Sequence, residues 1–291
     1  MAVRLATRGS ALALAQSGRV AQRLSGAELV EVSSDGSAGD KARFVNGVES
    51  ALLEGRADIG IHSAKDMPAG MTDGLVLAAV AEREERSDAW IGVGSSLADV
   101  ADGARVGTAS LRRRAQLLVA RPDLRVEELH GNVDTRLQRL VERDLDGIVL
   151  ASAGLRRLGR EDEIAFLVSH EEMTPAAGQG SLVLQTREGD SEATALAESL
   201  NDAGAFAELS AERAVVTALD ASCATPLGVS ATLSGSDMVI EAFVGLPDGS
   251  EWIRDRIEGA IDPEELGREL ADRLLGAGAD ALLASAEKMA S

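Results

Sequence analysis

The chain has 291 residues and a formal net charge of −19, from 48 acidic and 29 basic side chains. That acid excess excludes nucleic acid as a general partner, because no basic surplus exists to neutralise phosphates. No apolar run approaches the roughly 20 residues needed to span a bilayer. With 45% hydrophobic but only 2% aromatic residues, the core must be built from Ala, Val, Leu and Ile, and the length fits two or three domains.

The N-terminus, Met1-Ala2-Val3-Arg4-Leu5, lacks a signal-peptide layout and moves straight into a strand pattern over residues 3–7. Ser10 can cap an Ala/Leu helix running to about residue 24. A strand at 29–32, a helix from about 44 to 54 stopped by Gly55, and a buried-looking strand at 57–62 follow. Strands are expected at 75–80 and 90–93. A second series starts with a strand at 105–107 and a helix capped by Ser110 that runs to about 120. It continues with a strand at 125–129, a helix capped by Asn132 through 143, a strand at 147–151 and a short helix ending near Gly159. Residues 181–186 read as one more strand. This alternation predicts mostly parallel sheets with helices on both faces.

The character changes after about residue 203. A helix over 207–219 leads into Ala221-Ser222-Cys223-Ala224-Thr225-Pro226-Leu227-Gly228. Strands are expected at 229–233, 238–244 and 252–257, with Asp248-Gly249 turning between the last two. Pro263 opens a helix, and an apolar helix ends the chain. That is a small α+β domain.

Cys223 is the only cysteine, so no internal disulfide can form. A lone thiol without an export signal points to a reducing cytoplasm. By itself Cys223 reads equally as a small buried hydrophobe and as a reactive thiol. Lysine occurs only at Lys41, Lys65 and Lys288, and every other basic residue is arginine. Acid load with scarce lysine predicts adaptation to concentrated salt, where a Debye length of about 3 Å at 1 M screens self-repulsion. One Cys and three scattered His make no metal-ligand set, and no phosphate-cradling loop or dinucleotide fingerprint is present.

Unusual residues collect after strands: Thr7-Arg8-Gly9-Ser10, His62-Ser63-Ala64-Lys65-Asp66, Gly107-Thr108-Ala109-Ser110 and His130-Gly131-Asn132. Ligands of open α/β sheets bind outside the carboxyl ends of the strands, where helix N-termini favour anions. Arg8, Arg112, Arg113, Arg114, Arg136, Arg156 and Arg157 fall at these places. Cations in a helix's first turn oppose the macrodipole by roughly 0.3–1 kcal/mol each, and a planar guanidinium binds carboxylates bidentately. A ligand rich in carboxylates is expected, with surface ion pairing as the alternative for any one arginine. Asp66 could be a turn former before Met67-Pro68.

The order of these motifs resembles the hydroxymethylbilane synthase (porphobilinogen deaminase) family over essentially the whole chain. The carriers are Ala6-Thr7-Arg8, Ala57-Asp58-Ile59 through Met67-Pro68, Gly107-Thr108-Ala109-Ser110-Leu111-Arg112-Arg113 and Gly131-Asn132-Val133-Asp134-Thr135-Arg136-Leu137. Ala153-Gly154-Leu155-Arg156-Arg157-Leu158, Pro175-Ala176-Ala177-Gly178-Gln179-Gly180, and Cys223 with Pro226 and Gly228 complete the set. The resemblance implies a transferase that condenses four porphobilinogen molecules head to tail, with loss of ammonia, and releases a linear tetrapyrrole. It implies a dipyrromethane cofactor joined to Cys223 by a thioether and contacted by Lys65, Ser110, Arg112, Arg113 and Arg136. Asp66 would be catalytic, and Arg8, Ser10, Phe44, Arg157, Gln179 and His130 would bind substrate. The implied partners are porphobilinogen and oligopyrrole intermediates, without nucleic acid or membrane, for a cytoplasmic monomer. The implied fold is two α/β domains like those of solute-binding proteins, residues 1–83 with 181–200 and residues 86–178, plus a cofactor-bearing α+β domain at 203–291. Three departures stand out: His130 replaces the usual arginine, the loop at 33–40 is short, and its usual lysines are mostly absent. A non-catalytic solute-binding module and a thiol-dependent hydrolase are the alternatives.

Overall fold

The computed structural model describes residues 2–33, 42–221, 225–260 and 262–290, with the side chains of 42–44 and 290 left out. Cys223, Lys41, most of the 33–40 loop and the Phe44 side chain lie outside the described residues. The chain divides into two compact units, residues 1–84 with 180–207 and residues 85–179 with 208–291.

The first unit begins with β1 (Arg4–Arg8), α1 (Ala11–Arg23), β2 (Glu28–Val32), α2 (Ala42–Leu53), β3 (Ile59–Ser63) and β4 (Leu75–Arg83). The chain then enters the second unit through β5 (Asp88–Gly92), β6 (Arg105–Gly107), α3 (Leu111–Ala120), β7 (Arg125–Glu127), α4 (Val133–Glu142), β8 (Gly147–Ala151), α5 (Ser152–Arg157) and β9 (Phe166–Leu167). It returns to the first unit with β10 (Ser181–Arg187) and α6 (Ser191–Glu198). After α7 (Ala203–Ala218) come β11 (Leu227–Ser234), β12 (Asp237–Gly245), β13 (Trp252–Gly259), α8 (Pro263–Gly276) and α9 (Ala279–Ala290).

The two large sheets share one plan. Their strand orders are β2-β1-β3-β10-β4 and β7-β6-β8-β5-β9. In each, four strands run one way and one runs against them: β10 pairs antiparallel with β3 and β4, and β5 with β8 and β9. The sheets are mostly parallel in strand direction, as expected, and the single reversed strand of each is the one at which the chain enters from the other unit. Strand alternation sends successive side chains to opposite faces. Leu5, Ile59, Ile61, Leu182 and Leu184 join one core layer with Val20 of α1 and Ala193 of α6, while Ala6 joins Val48 and Leu52 of α2 on the other side. In the second sheet Trp90, Val106 and Val149 pack with Leu117 of α3, and Ala89, Ile91, Ile148 and Leu150 pack with Leu137 of α4. Both faces are covered, as the apolar runs predict.

The helix starts follow the expected caps. Ser10 Oγ accepts from Ala13 N, Ser110 Oγ from Arg113 N, and Asn132 Oδ1 from Thr135 N. Two elements were not expected: β9, only two residues long, and α6, an Ala- and Glu-containing helix opened by the Asp190 cap. The remaining sheet, β11-β12-β13, is an antiparallel meander. Its last turn holds Gly249 at φ 74°, a left-handed conformation that glycine adopts without strain. Glu212 of α7 is fully buried and accepts from Gly178 N and Ala231 N, both at 2.7 Å, so the helix is pinned to both flanking segments of its own unit.

Candidate active site

In the first unit, β1 and β3 are parallel neighbours, so their carboxyl ends emerge side by side. Arg8 is the last residue of β1. Asp66 closes a one-turn 3-10 helix, Ala64–Asp66, immediately after β3. Arg8 Nη2 lies 3.4 Å from Asp66 Oδ2, with side chains 24% and 18% exposed. Together with Gln16, Ser17, His62 and Ser63 they line a small recess. Arg8 and Asp66, each expected from its place after a strand, are thus in contact. Ser10 stands at the N-terminus of α1. Lys65 is half-buried in the same turn.

His62 is buried in the recess wall. Its Nε2 is 2.9 Å from Gln185 Oε1, and Gln185 Nε2 donates to Glu49 Oε1 at 2.8 Å. Burial pushes the imidazole down to about 4; Glu49 and the Gln185 bond pull the other way without overcoming it.

In the second unit β6, β7 and β8 are parallel and deliver the other residues at one edge. Asp88, the first residue of β5, organises them. It is fully buried, with Arg112 Nη1 2.8 Å from one oxygen and Arg113 Nη2 2.8 Å from the other. Burial alone would raise this carboxyl, but the two guanidiniums outweigh it and hold Asp88 well below the usual carboxylate range. Arg113 Nε also donates to Asp88 at 2.9 Å and its Nη1 donates to Val149 O, so all three of its nitrogens meet oxygens of its own unit. Arg112 Nη1 donates to Thr174 O at 2.7 Å. Arg112 and Arg113, both expected at a ligand, also contact Asp88, an aspartate not expected from the sequence.

Arg136 differs. Its Nε is buried without a hydrogen-bond partner, and among the described residues it meets no carboxylate. Burial first, and then the charge of Arg113, lower it to about 10. Three guanidiniums and one carboxylate leave this cluster net positive, a setting that favours an incoming carboxylate. Ser110 caps α3 beside it, with its hydroxyl oxygen on Arg113 N.

The other expected residues divide. Arg157 is buried at the end of α5. His130 is exposed and sits 2.6 Å from Glu128 Oε1, an acid of its own loop. Gln179 is fully buried, and its amide nitrogen donates to Arg86 O and Asp88 Oδ1; it touches the aspartate that holds Arg113. Gln16, 5% exposed and facing the Arg8 recess, was not singled out from the sequence either. A polar residue at an inward position of an otherwise Ala/Leu helix was the available signal.

The family model "Porphobilinogen deaminase, dipyromethane cofactor binding domain" matches residues 3–195, and "Porphobilinogen deaminase, C-terminal domain" matches 206–276. A porphobilinogen deaminase of Campylobacter hominis is 39% identical over 306 residues, covering 99% of this chain and 99% of that protein. One of Thiobacillus denitrificans is 46% identical over 247 residues, covering 84% and 81%. One of Trichlorobacter lovleyi is 39% identical over 297 residues, covering 97% and 95%. Among solved structures, the BvgS periplasmic VFT2 domain of Bordetella pertussis aligns with 68% of this chain and 86% of that one, at 15% identity and a TM-score of 0.42.

Proposed function

The chain belongs to the porphobilinogen deaminase family, and from that premise we propose how its own residues perform the family's reaction. It is a hydroxymethylbilane synthase: it joins four porphobilinogen molecules head to tail on a covalent dipyrromethane primer, each addition forming one carbon–carbon bond and releasing one ammonia. The observation that carries the reading is Arg136, whose buried Nε beside Arg113 has no hydrogen-bond partner among the described residues. A donor left open in a net positive cluster fits a group that bears carboxylates. When bound, the dipyrromethane supplies the pyrrole to which new units attach.

Cys223 holds this primer by a thioether and takes no part in each turnover. Lys65, Ser110, Arg112, Arg113 and Arg136 hold its carboxylates. Asp88 aims Arg112 and Arg113, and Gln179 acts through Asp88. Asp66 hydrogen-bonds pyrrole N–H groups and stabilises positive charge as ammonia leaves the substrate. Arg8, 3.4 Å away, orients that carboxylate and, with Ser10, receives substrate carboxylates. Phe44, Arg157 and His130 complete the substrate contacts. Residues 203–291 form the cofactor-bearing domain, supported by their separate sheet, and the other two domains are 1–83 with 181–200 and 86–178. The protein works as a salt-adapted cytoplasmic monomer without nucleic-acid or membrane partners. Its charge supports this reading, and no helix among the described residues is long and apolar enough to cross a membrane.

The test joins intact mass spectrometry to ammonia release from porphobilinogen. The purified chain should carry a dipyrrole adduct that Cys223→Ser abolishes, and Asp66→Ala should stay loaded but nearly inert. An unmodified Cys223 in active protein, or a fully active Asp66→Ala, overturns the assignment.

A further inference from the structure

The recess wall that holds Arg8 and Asp66 contains a buried side chain with no role so far. His62, 5% exposed, lies on β3 four residues before Asp66. It ends a chain of hydrogen bonds drawn from four segments. Thr72 Oγ1 donates to Glu49 Oε2 at 2.6 Å, Gln185 Nε2 donates to Glu49 Oε1 at 2.8 Å, and Gln185 Oε1 faces His62 Nε2 at 2.9 Å. Glu49 belongs to α2 and Gln185 to β10, and they are 5% and 0% exposed.

The directions in this chain are determined by which groups can donate. The Gln185 amide nitrogen is the donor toward Glu49 Oε1. That turns the Gln185 carbonyl oxygen toward His62. A carbonyl oxygen also only accepts, so the proton sits on His62 Nε2. The charged groups around the imidazole come from every side: Glu49 on α2, Arg8 on β1 and Asp66 on the turn after β3. Burial dominates them and keeps the ring neutral.

Asp66 needs support from outside its own turn. The 3-10 helix that presents it has three residues, and its N-cap Ser63 makes no side-chain cap bond. Its direction is inherited from the end of β3. An imidazolium in the recess wall would also offset the negative charge that Asp66 brings to a cationic intermediate. A neutral donor holds the strand end without that cost.

We propose that the chain Thr72–Glu49–Gln185–His62 is a positioning device for Asp66, with His62 a neutral strut protonated at Nε2 and not a proton carrier. This role rests on the reading of Asp66 as the group that serves every condensation. Its failure can be told apart from failure of that reading.

The experiment is a nitrogen–proton correlation spectrum of histidine-labelled holoenzyme, with the His62 signal assigned by its loss in His62→Gln. A neutral Nε2–H imidazole that persists through about pH 6.5, where ordinary histidines titrate, is expected. Kinetically, His62→Ala should lower kcat by up to about 100-fold, as displaced catalytic groups do, with KM little changed and the dipyrrole adduct still present. His62→Gln keeps a side-chain donor toward Gln185. It should recover most of the loss without moving the pH profile. An imidazolium near about pH 6.5, or an Nδ1–H tautomer, overturns the strut. So does a loaded His62→Ala enzyme with full kcat. A His62→Gln enzyme as slow as His62→Ala, with one limb of the pH profile gone, makes His62 a proton carrier instead. A fully active Asp66→Asn enzyme overturns the role of Asp66 and the strut's purpose together, while the spectrum still reports the state of His62.

Discussion

Asp88→Ala removes one carboxylate and leaves two guanidiniums buried together. Asp88 is 0% exposed, and the side chains of Arg112 and Arg113 are 5% and 7% exposed. Deleting one partner of a buried ion pair costs about 3–5 kcal/mol, because the remaining charge stays desolvated and unpaired. Arg112 and Arg113 keep Thr174 O and Val149 O, which limits the loss to that range. Against a total stability of about 5–15 kcal/mol this is severe. At about 2–4 °C per kcal/mol, the melting temperature of the second unit should fall by roughly 6–20 °C. Thermal unfolding at neutral pH measures it, with Asp88→Asn as the variant that keeps shape and one acceptor oxygen. The sign with pH follows from the depressed carboxyl of Asp88. Its contribution is complete above the unfolded value of about 3.9 and is lost as pH falls toward the lower folded value. The gap between wild type and Asp88→Ala should therefore be full at neutral pH and narrow in acid below about pH 4. A loss under about 1 kcal/mol, or a gap that stays constant in acid, refutes the ion-pair account.

His62 gives a second pH effect. Its folded value near 4 lies below the unfolded value of about 6.5, so the unfolded chain binds more protons between them and stability falls by about 3 kcal/mol as pH drops through that window. Urea midpoints should show this slope in wild type and lose it in His62→Gln; equal slopes count against it. Arg136→Met should leave the melting temperature unchanged or raised, because the guanidinium buries an unpaired donor, while cofactor loading falls; a clear drop in melting temperature would expose a structural partner. Gly147→Ala should cost at least about 3 kcal/mol, because its Cβ would fall on the fully buried Trp90 ring. A wild-type melting curve for that variant would show that β8 can shift. Raising salt toward about 1 M should raise the melting temperature by screening the acidic surface, and a fall would remove the salt-adapted reading.

What could be read from the sequence were features whose physics is local. Ser10, Ser110 and Asn132 cap helices through their own side chains, so each start was visible within three residues. Arg8 and Asp66 stood out because each follows a strand, and adjacent parallel strands bring such positions together. Asp88 was invisible because its partners lie 24 and 25 residues away, and one acid at the head of an apolar strand looks like any surface acid. Gln179 was placed at the substrate through its motif, yet it is fully buried against Asp88. A motif reports that a residue matters without reporting which neighbour it serves. The direction of β10 and β5 was also hidden, since strand composition is the same whichever way the strand runs.

The reversed strand in each sheet has a consequence for how the chain acquires its shape during synthesis. β3 and β4 do not pair with each other; β10 lies between them. When β4 leaves the ribosome its neighbour has not been made, and the chain between Arg83 and Ser181 must come first. At about 5–20 residues per second that is a wait on the order of 5–20 s. During the wait β4 is an apolar strand with bare backbone edges, open to mispairing or to a chaperone. The second sheet does not have to wait: β5 to β9 are contiguous in the chain and can close first. The lobe that is translated first is therefore the one that should finish last.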